Sequence, residues 1–172
     1  IEIVKKVRTE TRIGLNPLSV SGLSVNLIKN IFEDPKSLNV MLDHVLEKNP
    51  AIDTNRIYCV GYSMGGKGTW EWAMASPKRF AAIIPKAFIP DLSGIKGMVK
   101  LPIWAMVGTK DSRPRVQGIQ AMEKSLKQLG STMVKTTFFN GANHGSTPGE
   151  IRKLEGVYAW LFTHAQPPHL RQ

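Results

Sequence analysis

Apolar residues recur along this chain in two rhythms that alternate. Leu38, Met41, Leu42, Val45 and Leu46 fall on one helical stripe, started by Asp34 as N-cap and Pro35 at the first helical position and closed before Asn49-Pro50. Ile57, Tyr58, Cys59 and Val60 then form a short continuous apolar run, read as the strand ahead of Ser63. A helix is expected over residues 65–75, and a strand over 80–88 that Pro85 interrupts, leaving its far half as loop. Residues 101–107 read as a buried strand. Val116, Ile119, Met122, Leu126 and Leu129 predict a helix closed by Gly130. Residues 132–139 are a β-branched and aromatic run, and one last helix opens on the capping box Thr147-Pro148-Gly149-Glu150 and buries Ile151, Leu154, Val157, Tyr158 and Leu161. Four strands alternating with helices predict an α/β fold, a mainly parallel sheet flanked by helices. Residues 34–165 would form that core and 166–172 a tail. Residues 1–33 are harder to read: residues 1–7 suit an edge strand or an oligomer contact, and Leu23, Leu27, Ile28 and Ile31 a short helical face.

Candidate chemistry sits between the Ile57 run and the helix after it. Gly61-Tyr62-Ser63-Met64-Gly65-Gly66 contains a G-x-S-x-G turn, in which a serine occupies a strained strand-to-helix bend and Gly61 and Gly65 keep side chains away from backbone and substrate. On those residues alone, Ser63 reads equally as the N-cap of the next helix. An acid and a histidine that follow in order favour the nucleophile. The 101–107 strand runs into Gly108-Thr109-Lys110-Asp111, and the 132–139 strand empties into Asn140-Gly141-Ala142-Asn143-His144-Gly145. In open parallel sheets functional groups collect beyond the carboxyl ends of the strands, so Ser63, Asp111 and His144 can converge there.

These residues, with Asp53 and Arg56-Ile57-Tyr58 before the turn, the stretch from Ser76-Pro77 to Ile84-Pro85, and Leu101-Pro102-Ile103-Trp104-Ala105 ahead of Asp111, make the chain resemble a branch of the α/β-hydrolases. It is the polyhydroxybutyrate-depolymerase and feruloyl-esterase-like branch, related to prolyl-oligopeptidase-type hydrolases. The resemblance extends over residues 34–162. It implies a short α/β-hydrolase fold with Ser63 as nucleophile, His144 as general base and acid, Asp111 orienting the imidazole, and the Met64 backbone N–H as one oxyanion donor. It also leans toward a secreted or periplasmic setting. Members of this branch carry several strands ahead of the nucleophile strand, and the second oxyanion donor comes from a loop among them. Here about fifty residues precede Arg56, no H-G-G-G-like run appears before Ser63, and the second donor is unassigned. The chain begins at Ile1, as a fragment, a processed form or an unusually short natural version would.

Gly61 to Lys67 also nearly matches the phosphate-binding G-x-x-x-x-G-K. Gly68 stands where that loop needs Ser or Thr for magnesium, and no apolar strand ends in a metal-binding Asp, so Lys67 reads as a solvated first-turn residue. Lone Cys59 inside its strand reads as a small buried hydrophobe, and the four histidines show no ligand spacing; no metal and no cofactor are expected. His44, His164 and His169 read as surface residues.

Composition changes this picture little. With 172 residues, 42% hydrophobic and 21% charged, the chain is ordinary globular usage, and no apolar run approaches the ~20 residues of a membrane span. No secretory h-region or cleavage site is visible. A net charge of +10 raises nucleic acid as a partner, but the positives are spread and not interleaved with aromatics, which favours a solvated basic face. Lys110, Arg113 and Arg115 flank Asp111 as a positive rim. The reading is a serine hydrolase of carboxylic esters, with short acyl, aryl or carbohydrate-linked esters as substrates. An amidase or peptidase of the same fold is the alternative enzyme, and a non-catalytic hydrolase-like binding domain the alternative class.

Overall fold

The computed structural model describes residues 34–166. The edge-strand or oligomer role expected of residues 1–7, the helical face over 23–31 and most of the tail lie outside them. Helix α1, Pro35–Lys48, begins as its sequence dictates: the Asp34 carboxylate accepts from the Lys36 and Ser37 N–H groups, satisfying two of the donors a helix start leaves unpaired. There follow β1 (Tyr58–Tyr62), α2 (Met64–Ala75), β2 (Ala82–Lys86), β3 (Ile103–Gly108), α3 (Arg113–Gln128), β4 (Val134–Phe139), α4 (Thr147–Lys153) and α5 (Val157–Phe162). Two 3₁₀ segments, Pro77–Arg79 and Leu92–Met98, complete the connections.

All four strands run parallel in the order β1-β2-β3-β4. Because parallel strands are covered on both faces, alternate side chains of β2 and β3 enter two separate cores. Ile83, Ile103, Ala105 and Val107 join Trp70 of α2, Met98, and Ile119, Met122 and Leu126 of α3 on one face. Ile84, Trp104 and Met106 meet Val157 and Leu161 of α5 on the other. Burying each such large side chain contributes about 1.5–3 kcal/mol, which makes these two layers the chief support of the strands that carry the site. Cys59 is half-buried against the first layer, its Sγ 3.6 Å from Thr69 Oγ1, and burial raises its thiol pKa.

Four expectations need correction. Pro85 lies within β2, not in a loop. Pairing with β1 is continuous from Tyr58↔Ala82 through Gly61↔Pro85 to Tyr62↔Lys86, whereas β2 and β3 pair only at Ile83↔Ile103 and Lys86↔Met106. The N–H groups of Ile83 and Ala87 donate to Pro102 and Met106 on the β3 side, so the N–H that proline lacks falls on that side too. The strand survives because only one of its edges is interrupted.

The single last helix is two. Leu154 is extended and Gly156 has φ 77°, which turns the chain between α4 and α5; Tyr158 is 67% exposed. Nor is there a capping box. Ser146 is the N-cap residue, without a side-chain capping bond; the Thr147 hydroxyl donates to Asn143 O, and Glu150 pairs with Lys153. Finally, His164 is no simple surface residue: it packs edge-on to Trp160 at 4.6 Å, its carbonyl accepts from the Tyr58 hydroxyl, and burial lowers its pKa.

Candidate active site

Three connections meet above the carboxyl ends of β1, β3 and β4. The first is the bend from β1 into α2. Ser63 sits there at φ 55°, ψ −115°, a left-handed geometry that costs a non-glycine residue of order 1–3 kcal/mol. Backbone bonds on both sides hold it: its N–H donates to Lys86 O at 2.9 Å, and its carbonyl accepts from the Lys67 N–H at 3.0 Å. A side chain at Gly61 would put its Cβ 2.0 Å from Gly65 O, and one at Gly66 would come 2.3 Å from Lys86 O. Gly65, expected to be needed equally, has open space where its Cβ would stand. The motif's first glycine is thus required by backbone packing, while its second leaves room.

The other two connections are stitched together. Past β3, the Thr109 N–H donates to Phe139 O and the Lys110 N–H to Ala142 O; the Gly141 N–H returns to Thr109 Oγ1. This close approach requires Gly108, whose Cβ would lie 2.2 Å from Ala142 O. The loop after β4 closes on itself: the Ser146 N–H donates to Asn143 Oδ1, the Asn143 N–H to Ser146 Oγ, and both the N–H and the hydroxyl of Thr147 to Asn143 O. His144 projects from it.

Ser63, His144 and Asp111 form one hydrogen-bonded chain, 2.8 Å from Ser63 Oγ to His144 Nε2 and 2.7 Å from His144 Nδ1 to Asp111 Oδ2. A carboxylate only accepts, so Nδ1 carries the proton and Nε2 is left free to accept from the serine hydroxyl. The Asp111 side chain is 1% exposed. Burial opposes its charge, but hydrogen bonds from His144, from Arg115 Nη1 at 2.9 Å and from the Ser112 N–H at 2.6 Å outweigh that and hold the carboxyl below its ordinary range. Met64 opens α2, so its N–H has no intrahelical partner by position. No residue is assigned as a second donor.

Two groups at the site were not read from sequence. The Tyr62 hydroxyl donates to His144 O, and its ring lies 5.3 Å from the imidazole at 33°. Burial first, then the Asp111 charge, raises the phenol pKa, which keeps it a donor. Arg115, read as part of an exposed rim, instead pairs with Asp111 from the first turn of α3. The signal was there in the i, i+4 spacing of Asp111 and Arg115. Lys67, as expected, is a helix-surface residue, paired with Glu71. Among the described residues no cluster of three or more His, Cys, Asp or Glu is placed to hold a metal ion, and no helix is long and apolar enough to cross a membrane.

Residues 27–151 match the model of the dienelactone hydrolase family. Among solved structures the chain is similar to a thermostable esterase, at TM-score 0.66 and 28% identity over 76% of this chain and 37% of that one. It is also similar to the acylaminoacyl peptidase of Pyrococcus horikoshii, at TM-score 0.64 and 21% identity over 76% and 27%, and to SOBER1 of Arabidopsis thaliana, at 0.60 and 22% over 77% and 63%. The chain thus spans less than two thirds of each of these proteins. No curated protein matches it. The parallel sheet with its flanking helices is an α/β-hydrolase fold.

Proposed function

The chain belongs to the dienelactone hydrolase family, and on that premise we propose that it cleaves carboxylic esters through an acyl-enzyme on Ser63. The observation that carries this reading is the relay from Ser63 Oγ to His144 Nε2 and from His144 Nδ1 to Asp111 Oδ2, built on a serine held at positive φ.

Ser63 Oγ attacks the ester carbonyl while His144 Nε2 takes its proton. Asp111 accepts from Nδ1–H throughout, fixing the tautomer and stabilising the imidazolium. The Met64 N–H, at the positive end of α2, stabilises the oxyanion of the tetrahedral intermediate. When that intermediate collapses, His144 returns the proton to the departing alkoxide, and alcohol leaves. A water then gives its proton to His144 and attacks the acyl-enzyme; as the second intermediate collapses, the bond from the acyl carbon to Ser63 Oγ breaks, His144 returns the proton to Oγ, and the acid leaves.

Esters are the favoured class because an alkoxide leaves more readily than an amine, and one assigned oxyanion donor suffices more easily for them; loss of one such donor costs about 100- to 1,000-fold in turnover. Short acyl or aryl esters fit this chemistry, and the resemblance to feruloyl-esterase-like proteins adds carbohydrate-linked esters. Labelling by a fluorophosphonate probe, wild type beside Ser63→Ala, tests the nucleophile; a panel of esters and matched amides tests the class. Labelling confined to wild type and turnover of esters alone are expected. A folded wild type that stays unlabelled would count for a binding domain, and amide turnover matching ester turnover for a peptidase.

A further inference from the structure

Resting on the serine-hydrolase reading, we propose that Ile89 and Met64 form an apolar subsite for the acyl chain of the ester, which selects esters of apolar alkyl acids over acetyl esters. Ser63, Asp111 and His144 follow β1, β3 and β4; the carboxyl end left over is that of β2, which lies between β1 and β3. Its exit is pinned to both neighbours. Lys86 O accepts from the Ser63 N–H at 2.9 Å, and the Ala87 N–H donates to Met106 O at 2.8 Å. Ala87 is fully buried at φ 53°, and among the described residues only it and Ser63 are non-glycine residues at positive φ. Such a backbone persists where its surroundings over-determine it, as they do around functional sites. The turn carries the chain over α2 and α3. Phe88 O accepts from Trp70 Nε1 at 3.3 Å, and its Cβ lies 3.2 Å from where a Gly66 Cβ would stand. Ile89 fits against Gly118 of α3, where an added Cβ would meet Ile89 Cγ2 at 2.6 Å. A glycine inside a helix weakens it relative to alanine, and this one makes room for Ile89. Ile89 is still 38% exposed, and Met64, the residue after Ser63, 55%. Apolar side chains left open beside a nucleophile are a surface that an apolar substrate group covers.

Ester chemistry decides which half of the substrate lies there. The departing alkoxide takes its proton from His144 Nε2, so the alcohol lies on the histidine's side of Ser63. That imidazole rests against Tyr62, which by strand alternation shares with Tyr58 the sheet face covered by α5. Phe88 turns to the other face, where it packs on the core that Trp70 of α2 shares with α3. The acyl chain, across the carbonyl from the alcohol, is thereby directed toward Ile89 and Met64. Lys67 of α2 and Arg115 of α3 are already paired, with Glu71 and Asp111, which favours an apolar acid over a charged one.

The test is the ratio of kcat/KM for p-nitrophenyl hexanoate to that for p-nitrophenyl acetate, in wild type, Ile89→Asn, Met64→Ser and Leu129→Asn, each checked for cooperative melting. Leu129, at the other end of α3, is an exposed apolar residue remote from Ser63 and serves as control. Full burial of one methylene is worth about fourfold in kcat/KM, so a ratio of about tenfold or more is expected of wild type. Ile89→Asn and Met64→Ser should each cut it by about fourfold or more, and Leu129→Asn should leave it unchanged. Ile89→Ala replaces the Asn variant if the latter does not fold. Equal turnover of the two esters by wild type overturns the subsite, as does a fall in both rates together that leaves the ratio unmoved in the Ile89 and Met64 variants. Fluorophosphonate labelling of the same samples separates the two ways to fail. A wild type that labels but shows no chain-length preference overturns the subsite alone; a folded wild type that neither labels nor hydrolyses either ester overturns the hydrolase reading and this inference with it.

Discussion

Tyr62 bridges β1 and the histidine loop: its hydroxyl donates to the His144 backbone carbonyl while its ring lies 5.3 Å from the imidazole. One side chain at the end of β1 therefore fixes both the backbone and the ring of a residue 82 positions later. Tyr62→Phe keeps the ring and removes the hydroxyl. A stability loss of about 0.5–1.5 kcal/mol by urea denaturation is expected, together with slower labelling of Ser63. Labelling unchanged despite the lost stability would show that the bond holds the loop without aiming the imidazole.

The two glycines of the G-x-S-x-G turn should respond oppositely. Gly61→Ala drives a Cβ to 2.0 Å from Gly65 O, a backbone clash that must shift the bend, and loss of Ser63 labelling is expected. Gly65→Ala meets nothing among the described residues and sits in the first turn of α2, where alanine is favoured over glycine by about 0.5–1 kcal/mol. Thermal melting of Gly65→Ala at or above wild type is the expected result; any loss of ester turnover then reports substrate meeting the new methyl.

Asp111 links stability to pH. Its folded-state pKa is depressed, so its contribution is present above the unfolded value of about 3.9 and is lost as pH falls through the lower folded value. Asp111→Asn should therefore be less stable than wild type at neutral pH, with the gap closing below about pH 4. Urea midpoints at both pH values measure this, and a gap that stays constant would mean that the carboxylate's charge is not what stabilises.

Thr147 and Glu150 separate a loop anchor from a capping box. Thr147 is fully buried and donates to Asn143 O beside the histidine, so Thr147→Val should cost about 1–3 kcal/mol and slow labelling. Glu150 makes only a surface pair with Lys153, and Glu150→Ala should fall within about 0.5 kcal/mol of wild type. Equal losses in the two variants would restore the capping box.

Sequence exposed the elements whose signals are local. A helix start needs only Asp34-Pro35, and a buried parallel strand only a run such as Ile103 to Val107. The strand order in which Ser63, Asp111 and His144 follow one another was enough to bring them to one end of the sheet. What was hidden depends on distant partners. Pro85 reads as a strand breaker until one sees that β2 has an edge where its missing N–H is tolerated. Thr147 and Glu150 satisfy a capping pattern, but the threonine hydroxyl has a better acceptor in Asn143 O. Tyr62 gave no sign of its role because it acts on a residue brought near only by the fold, whereas Arg115 stands four residues from the Asp111 it pairs with; Gly65 looked necessary only because the motif counts two glycines.

The gap at Pro85 has a mechanical meaning. Ser63 rides on the β1–β2 ladder, while Asp111 and His144 are carried by the β3–β4 ladder, and the join between the ladders is open at its middle. The bond from Ser63 to His144 therefore crosses from one ladder to the other, as does the bond from the Tyr62 hydroxyl to the His144 carbonyl. A shift of one ladder against the other would be resisted by both contacts. The pair formed by His144 and Asp111 is carried wholly by the second ladder.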